Sequence, residues 1–476
     1  VNKRRGPFLI LGLLTTAVFM ILGFQNCSND AGFIADPSVA QPFSNQTPPR
    51  IAGNENVVIQ INQEPGNSTI DDPSSVVDFQ VTSPAPGTTI TDVTCTLDGV
   101  DIPCDATDTI VIDNTELGVG THTFVIEGTN SDGETATETI TFTIFNGITK
   151  ITKDIDVSSN RDQADIIINI DNSGSMRSKQ ANMAARVSTF MDKFKNSDYR
   201  IMVITTMTGL EFLENKTNLD YAHGRALQYG DGSYCLTPAK SLAENQQLLG
   251  ETVQRPETGE DSTGHERPMY TTRLMVERYL QAGSPESSCL RPGVAKHVII
   301  ISDEDETISW EDDGPDGIRE GDPVENLQFS DANNLLSYMA DKFPSSAFIA
   351  HSIIVNPYAE AAEIQACLNS RIGEQRGGVY IGTRLGALSL MTGGNIGNIC
   401  ASDYGSQLVD IGQIISDSSK IYPLGCIAVD NARESSTVTQ GGLPFELTGY
   451  SFRGSNIVFD QNLAEGTYQL TYFCYQ

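Results

Sequence analysis

Apolar and polar positions change their spacing several times along the chain. Residues 7–24 form an uncharged stretch rich in Leu, Ile, Phe and Val, behind a basic Lys3-Arg4-Arg5. Residues 28–50 show no periodicity and are rich in Ser, Pro, Asn, Gln and Ala, the composition of a flexible tether. From residue 51 the spacing becomes two. Residues 76–81, 109–112, 121–126 and 135–144 read as short strands, with Asp98-Gly99 and Asp132-Gly133 as turn signals. Short strands at regular spacing predict a β-sandwich over 51–147.

Residues 147–162 read as a connector. From Ala164 continuous apolar runs alternate with stripes at helical spacing, which predicts a mainly parallel sheet, doubly wound with helices on both faces, over 160–421. Strands are expected at 164–170, 200–206, 297–302 and 346–355. Helices are expected after residue 176 and at 273–281, 330–343, 385–391 and 402–418. Met183, Val187, Phe190, Met191 and Phe194 mark the buried face of the first helix. Residues 207–261 read as an insertion, and Cys367 and Cys400 as loop residues. Residues 422–476 return to short strands and turns, a small β region that can bury little core alone; it stands apart or extends the preceding domain.

Composition adds compartment and charge. The 476 residues leave room for roughly three domains. Sixty-one acids against 30 bases give a net charge of −31, which repels phosphate backbones and argues against nucleic-acid binding. Solubility alone accounts for most of these carboxylates. There are nine cysteines, and setting Cys27 aside leaves an even number, as expected in an oxidising compartment. Domain boundaries then predict the pairs Cys95–Cys104, Cys235–Cys289, Cys367–Cys400 and Cys426–Cys474. No C-x-x-C spacing and only five His argue against zinc.

The basic start, the apolar run and Cys27 resemble a bacterial lipoprotein signal, which implies lipidation at Cys27 and removal of 1–26, with 27–50 as linker. Phe24-Gln25-Asn26 depart from the family's preferred residues, and an uncleaved anchor is the alternative. Either reading puts the remainder outside the cytoplasm, membrane-anchored at the outer membrane or cell surface, or in the periplasm. Cys95-Thr96-Leu97-Asp98-Gly99 with Cys104, and Gly120-Thr121-His122-Thr123-Phe124, resemble a bacterial immunoglobulin-like module, which implies a spacer. His122 within it reads as a structural or surface residue.

The stretch that carries chemistry is Asp171-Asn172-Ser173-Gly174-Ser175-Met176, a strand-to-helix turn presenting two hydroxyls and a carboxylate. Such hard oxygens suit Mg²⁺, Mn²⁺ or Ca²⁺. A second carboxylate run, Asp303-Glu304-Asp305-Glu306, ends the strand at 297–302, where parallel sheets bind ligands. The D-x-S-x-S loop, Ser302-Asp303 and Thr392-Gly393-Gly394, in this order, resemble a von Willebrand factor A domain with a metal-ion-dependent adhesion site. The resemblance implies that Ser173 and Ser175 bind the cation directly, that Asp171 acts directly or through water, and that Asp303 acts through water. It also implies that a protein partner presents an acidic side chain to the metal.

One position departs from that family. Where it supplies a Thr, this chain has Asp261-Ser262-Thr263-Gly264-His265-Glu266, and counting back from the helix puts Glu266 there. A carboxylate would bind the cation more tightly and weaken attraction for an acidic partner. Thr263 is a substitute, and a third reading is that neither touches metal. Asp305 and Glu306 either support a second cation or are solvated loop charge, the second being preferred. Asp312-Asp313-Gly314 and its neighbours lack calcium-loop spacing. The expected function is cation-dependent adhesion and not catalysis: the hydrolase motifs are absent, and Ser173, His265 and Asp303 form at most an unplaced hydrolase set. A scaffold with a degenerate site is the other alternative.

Overall fold

The computed structural model describes residues 50–53, 56–65, 68–69, 72, 74–84, 86–157, 162–208, 222–255, 266–306, 330–370, 380–426, 428–429, 436–444 and 449–475. The expected signal segment, the tether before Arg50, the Cys27 lipidation position, Thr263, His265 and the 312–322 acidic loop lie outside the described residues. Among the described residues no helix is long and apolar enough to cross a membrane.

The chain is multidomain and sheet-rich. Its first part pairs β1 (Arg50–Gly53), β2 (Val58–Gln63), β3 (Ser68–Thr69), β4 (Ser74–Thr82), β5 (Ile90–Leu97), β6 (Val100–Ile102), β7 (Thr107–Asp113), β8 (Gly120–Asn130) and β9 (Thr135–Phe145). They form two sheets, ordered β1-β2-β4-β7 and β3-β9-β8-β5-β6. Alternate residues, among them Phe79, Phe124, Ile126 and Phe142, share one core between them. Asp98 and Gly99 both take positive φ (51° and 77°), which the tight β5–β6 turn demands. The Asp98 carboxylate accepts from Thr123 N at 2.8 Å and meets the buried His122 ring at 2.8 Å, so His122 is structural.

The connector expected at 147–162 is a strand. β10 (Ile148–Val157) pairs antiparallel along its length with the last strand, β21 (Gly466–Tyr475). Between them lies the parallel domain: β11 (Gln163–Ile170), α1 (Arg177–Met191), β12 (Asp198–Thr205), α2 (Leu242–Thr252), α3 (Pro268–Tyr279), β13 (Ala295–Ile301), α4 (Ala332–Lys342), β14 (Phe348–Ile354), α5 (Ala361–Ser370), α6 (Thr383–Thr392), β15 (Ile396–Asn398) and α7 (Gly405–Ser416). The sheet order is β12-β11-β13-β14-β15, all parallel.

Burial on both faces explains the continuous apolar runs. Ile166, Ile168 and Ile170 of β11 face a core shared with Met183 and Phe190 of α1, Leu249 of α2 and Leu408 of α7. Ile167 turns the other way, toward Met275 of α3, Leu335 of α4 and Leu388 of α6. Thr392-Gly393-Gly394 closes α6. Gly393 takes φ 71°, and a side chain at Gly394 would overlap the Ala350 carbonyl of β14. Two helices of the parallel domain were not expected. α2 lies in the supposed insertion, and α5 carries Cys367, which is therefore helical and not in a loop.

After α7 come β16 (Ile421–Pro423), β17 (Thr437–Gln440), β18 (Leu443–Pro444), β19 (Tyr450–Arg453) and β20 (Asn456–Phe459). β17 and β18 extend the β10–β21 sheet, while β16, β20 and β19 form a second small sheet. Ile155 and Val157 of β10 share a core with Tyr468, Leu470 and Phe459. The C-terminal β region is therefore completed by residues 148–157. The four disulfides are Cys95–Cys104, Cys235–Cys289, Cys367–Cys400 and Cys426–Cys474, the pairs that the domain boundaries predict. Such a complement marks an oxidising, extracytoplasmic compartment.

At the amino ends of the strands, Asp165 of β11 takes the fully buried Lys296 ammonium at 3.1 Å and the Arg291 guanidinium at 2.7 Å. Beside it runs a directional chain of neutral imidazoles. Asn395 N donates to His351 Nδ1 (3.1 Å), which leaves His351 Nε2–H for His297 Nδ1 (3.2 Å). His297 Nε2–H then donates to Ser418 Oγ (2.7 Å), and that hydroxyl donates to the Ile415 carbonyl (2.6 Å). Burial lowers the His351 pKa to about 3 and holds His297 well below the usual imidazole range, aided there by the His351 and Lys296 charges.

Two predictions follow from these buried groups. Asp165→Ala leaves Lys296 buried without its carboxylate and should cost roughly 3–5 kcal/mol in urea unfolding; a loss below about 1 kcal/mol would contradict the burial described. For His351, the folded pKa lies below the unfolded value, so acidification below about pH 6.5 protonates the unfolded chain first and stability falls. His351→Gln keeps an acceptor for Asn395 and a donor for His297. The stability advantage of wild type over this variant should shrink by about 1.4 kcal/mol per pH unit between pH 6.5 and 4.5; a pH-independent difference would contradict it.

Candidate metal site

The carboxyl ends of β11, β12 and β13 meet at one point of the sheet. β11 ends at Ile170, and the Asp171 backbone N–H still bonds the Ile301 carbonyl of β13 at 3.0 Å. The chain then turns through a short 3₁₀ segment, Gly174–Met176, whose Met176 plugs into the core beneath, and enters α1. Asp171, Asn172 and Ser173 are buried.

Hydrogen bonds lock this turn to the next loop. Asp171 Oδ1 accepts from Ser173 N at 2.7 Å, and its Oδ2 accepts from Ser302 Oγ at 2.8 Å. The Ser173 and Ser175 hydroxyls lie 3.0 Å apart, and Ser175 Oγ donates to Asp303 Oδ1 at 3.1 Å. Gln180 of α1 donates to the Asp171 carbonyl at 2.7 Å and accepts from Arg255 N at 2.9 Å, tying the loop to the end of α2. The structure thus brings Asp171, Ser173, Ser175 and Asp303 together, 128 residues apart in sequence between Ser175 and Asp303.

Glu266 comes to the same end of the sheet by another route. An isolated bridge pairs it with Met207, just beyond β12, and its buried carboxyl accepts the Thr206 hydroxyl. Ser302 was read from the sequence together with Asp303 but given no role of its own; Thr206 and Gln180 were not singled out, and Gln180 leaves no signal.

The electrostatics are those of crowded acids. Burial and then the Asp303 charge raise the Asp171 pKa to about 7. Burial, followed by the charges of Asp171, Glu304 and Asp303, raises Glu266 well above the carboxylate range, with Thr206 opposing. Two hydroxyls and two carboxylates are a donor set of hard oxygens that fits a divalent cation, which would also relieve this repulsion. Asn172 Oδ1 is buried nearby in the chain with no hydrogen-bond partner among the described residues. Among the described residues no three His, Cys, Asp or Glu side chains gather as a metal-holding group, so a cation here relies on the serines.

Asp305 and Glu306, expected as solvated loop charge, cap helices instead. Asp305 accepts from Thr383 Oγ1, Arg384 N and Leu385 N at 2.9–3.2 Å and so caps α6. Glu306 is buried, accepts from Met269 N (2.7 Å), Tyr270 N (3.2 Å) and Ser330 Oγ (2.9 Å), and caps α3. Burial raises its pKa to about 7 although the Arg267 charge pulls it down. Of the hydrolase set, His265 lies outside the described residues, and Ser173 Oγ lies 3.0 Å from Ser175 Oγ.

No family model and no curated protein matches the chain. Among solved structures it is similar to the open conformation of the pilus adhesin SpaC from Lactobacillus rhamnosus GG, at 10% identity over 90% of this chain and 48% of that one, TM-score 0.30. It is also similar to the human COPII-coat protein Sec24c (10% identity, 69% and 46% covered, TM-score 0.29) and to the pilus adhesin RrgA from Streptococcus pneumoniae (11%, 90% and 66%, TM-score 0.26). The chain spans about half the length of SpaC and of Sec24c. Likeness at these TM-scores assigns neither fold family nor function.

The caps generate a prediction. Asp305→Ala should cost about 1 kcal/mol, with or without Mg²⁺ or Ca²⁺, by removing a helix cap. A cost seen only with cation present, measured by thermal unfolding, would restore Asp305 to a metal site.

Proposed function

We propose that this chain is an extracytoplasmic, membrane-anchored binding protein. In this reading its parallel domain is of the von Willebrand A type and captures a protein partner through a divalent cation. The observation that carries the reading is the Ser175–Asp303 hydrogen bond. It joins the Asp171-x-Ser173-x-Ser175 turn to the β13 loop at the carboxyl end of a parallel sheet. Ser173 and Ser175 would hold Mg²⁺ or Mn²⁺ through their hydroxyls, with Asp171 and Asp303 at the same place, the first fixed by Ser302 and Ser173 N. When bound, such a cation supplies Lewis acidity toward an oxygen of the partner, in family members a carboxylate. The sandwich acts as spacer between Cys27, the proposed lipid anchor, and this domain.

Glu266 bears on the partner. Its negative charge, when ionised, interacts with those of Asp171 and Asp303 and would offset part of a divalent cation's charge. That tempers attraction for an acidic ligand, and Thr206 holds Glu266 in place by its hydroxyl. Thr263 remains a competing donor.

Thermal unfolding tests the reading. Mg²⁺ at 100 times its Kd should stabilise the wild-type chain by about 2.7 kcal/mol. Because Asp171 is protonated more readily when folded than unfolded, its contribution to stability is present below about pH 4 and lost as pH rises to 7. Asp171→Asn should therefore raise the cation-free melting temperature at pH 8 while abolishing the Mg²⁺ response. A variant that melts lower without cation and still responds to Mg²⁺ would overturn the site. Capture of an envelope protein that is Mg²⁺-dependent and lost in Ser173→Ala separates adhesion from a scaffold; ester or peptide turnover lost in Ser173→Ala would favour the hydrolase.

A further inference from the structure

A second place on the molecule has the features of a ligand site and lies away from Asp171. A cavity of about 440 Å³ opens where β9, β10, α4 and the C-terminal sheets come together, within the range of roughly 300–1,000 Å³ typical of small-molecule sites. One wall is a stripe of α4 at helical spacing, Leu336 and Ala340, continued by Phe343 and Phe348. These side chains give that wall an apolar surface for a hydrocarbon or aromatic group.

The other wall carries Lys153. Its Nζ donates to the Pro423 carbonyl at 2.8 Å, which leaves two N–H donors. Lys153 makes no ion pair among the described residues, although acids outnumber bases 61 to 30 in this chain. A half-buried ammonium with no counter-ion is costly, and burial lowers its pKa accordingly. Ser346 and Asn456 are polar residues that also line the cavity. The alternation that places Lys153 here is that of β10, whose inward positions also include Ile155 and Val157. On that face Lys153 stands between Ile151 and Ile155.

We propose that this cavity binds a small amphipathic monocarboxylate, with its carboxylate on the Lys153 ammonium and its apolar body against Leu336, Phe343 and Phe348. One charge is argued by the single ammonium, and a polyanion is opposed by the net charge of −31. The site is independent of the cation reading, since none of its residues touches the Asp171 loop.

Calorimetric titration of the full chain with 4-phenylbutyrate and with 4-phenylbutan-1-ol tests it. The carboxylate should bind once per chain, about tenfold tighter than the alcohol, the effect of one charge-assisted hydrogen bond. Lys153→Met should remove that preference and Lys153→Arg should keep most of it. Ala340→Phe, which fills the cavity, should abolish binding of both probes while the melting transition stays cooperative. Equal affinity for the two probes, a preference unchanged in Lys153→Met, or no binding of phenylbutyrate to a folded wild-type chain would overturn the proposal.

Discussion

Three carboxylates, Asp171, Asp303 and Glu266, are buried at one end of a parallel sheet, and the charges acting on Asp171 and Glu266 are those of other carboxylates. Much of the local architecture answers that constraint. Hydroxyls from Ser302, Ser175 and Thr206 and the Ser173 amide supply hydrogen bonds to the three groups. Gln180 holds the loop from behind. Partial compensation by neutral donors leaves repulsion in place, and buried acids then take up protons or acquire a counter-ion. The opposite end of the same strands is built differently. There Asp165 is matched by Lys296 and Arg291, so the carboxylate is neutralised on the spot. One end of the strands thus carries an acid matched by two cations, while at the other Asp171 and Glu266 feel the charges of further carboxylates.

The parallel domain is framed in sequence by one strand pair. Because β10 enters and β21 closes the same small sheet, the chain leaves and returns through one pair of strands, with the whole α/β domain between them. The same arrangement presents Lys153 to α4 and creates the cavity beside it. Anchorage and the second cavity are thus two consequences of a single strand pairing, while the His351–His297–Ser418 chain ties the end of α7 to the interior strands.

Legibility in the sequence followed the range of the interaction. β11 and β13 were readable because strands buried on both faces must be continuously apolar, and the Asp171–Ser175 turn because its spacing is local. β10 was missed: its apolar residues are interrupted by Lys150, Lys153, Asp154 and Asp156, and its partner lies more than 300 positions away. α2 was hidden by Asn and Gln, although Ser241 capping Glu244 N is a helix-start signal that was available. The acids after β13 looked alike in sequence. Only tertiary structure separates Asp303, beside Ser175, from Asp305 and Glu306, which cap two different helices. Glu266 was found by counting back from a helix, but its hydroxyl partner Thr206 was not, because that contact joins the end of one strand to a distant loop.

The central claim is that the two serines and two aspartates hold a divalent cation. Electron paramagnetic resonance of Mn²⁺ titrated into the purified chain at pH 8 tests it most directly. The account predicts one bound Mn²⁺ per chain, displaced by Mg²⁺ and lost in a Ser173→Ala/Ser175→Ala double variant that keeps its cooperative unfolding. Free Mn²⁺ signal undiminished by the wild-type chain, or binding that survives the double substitution, would contradict it.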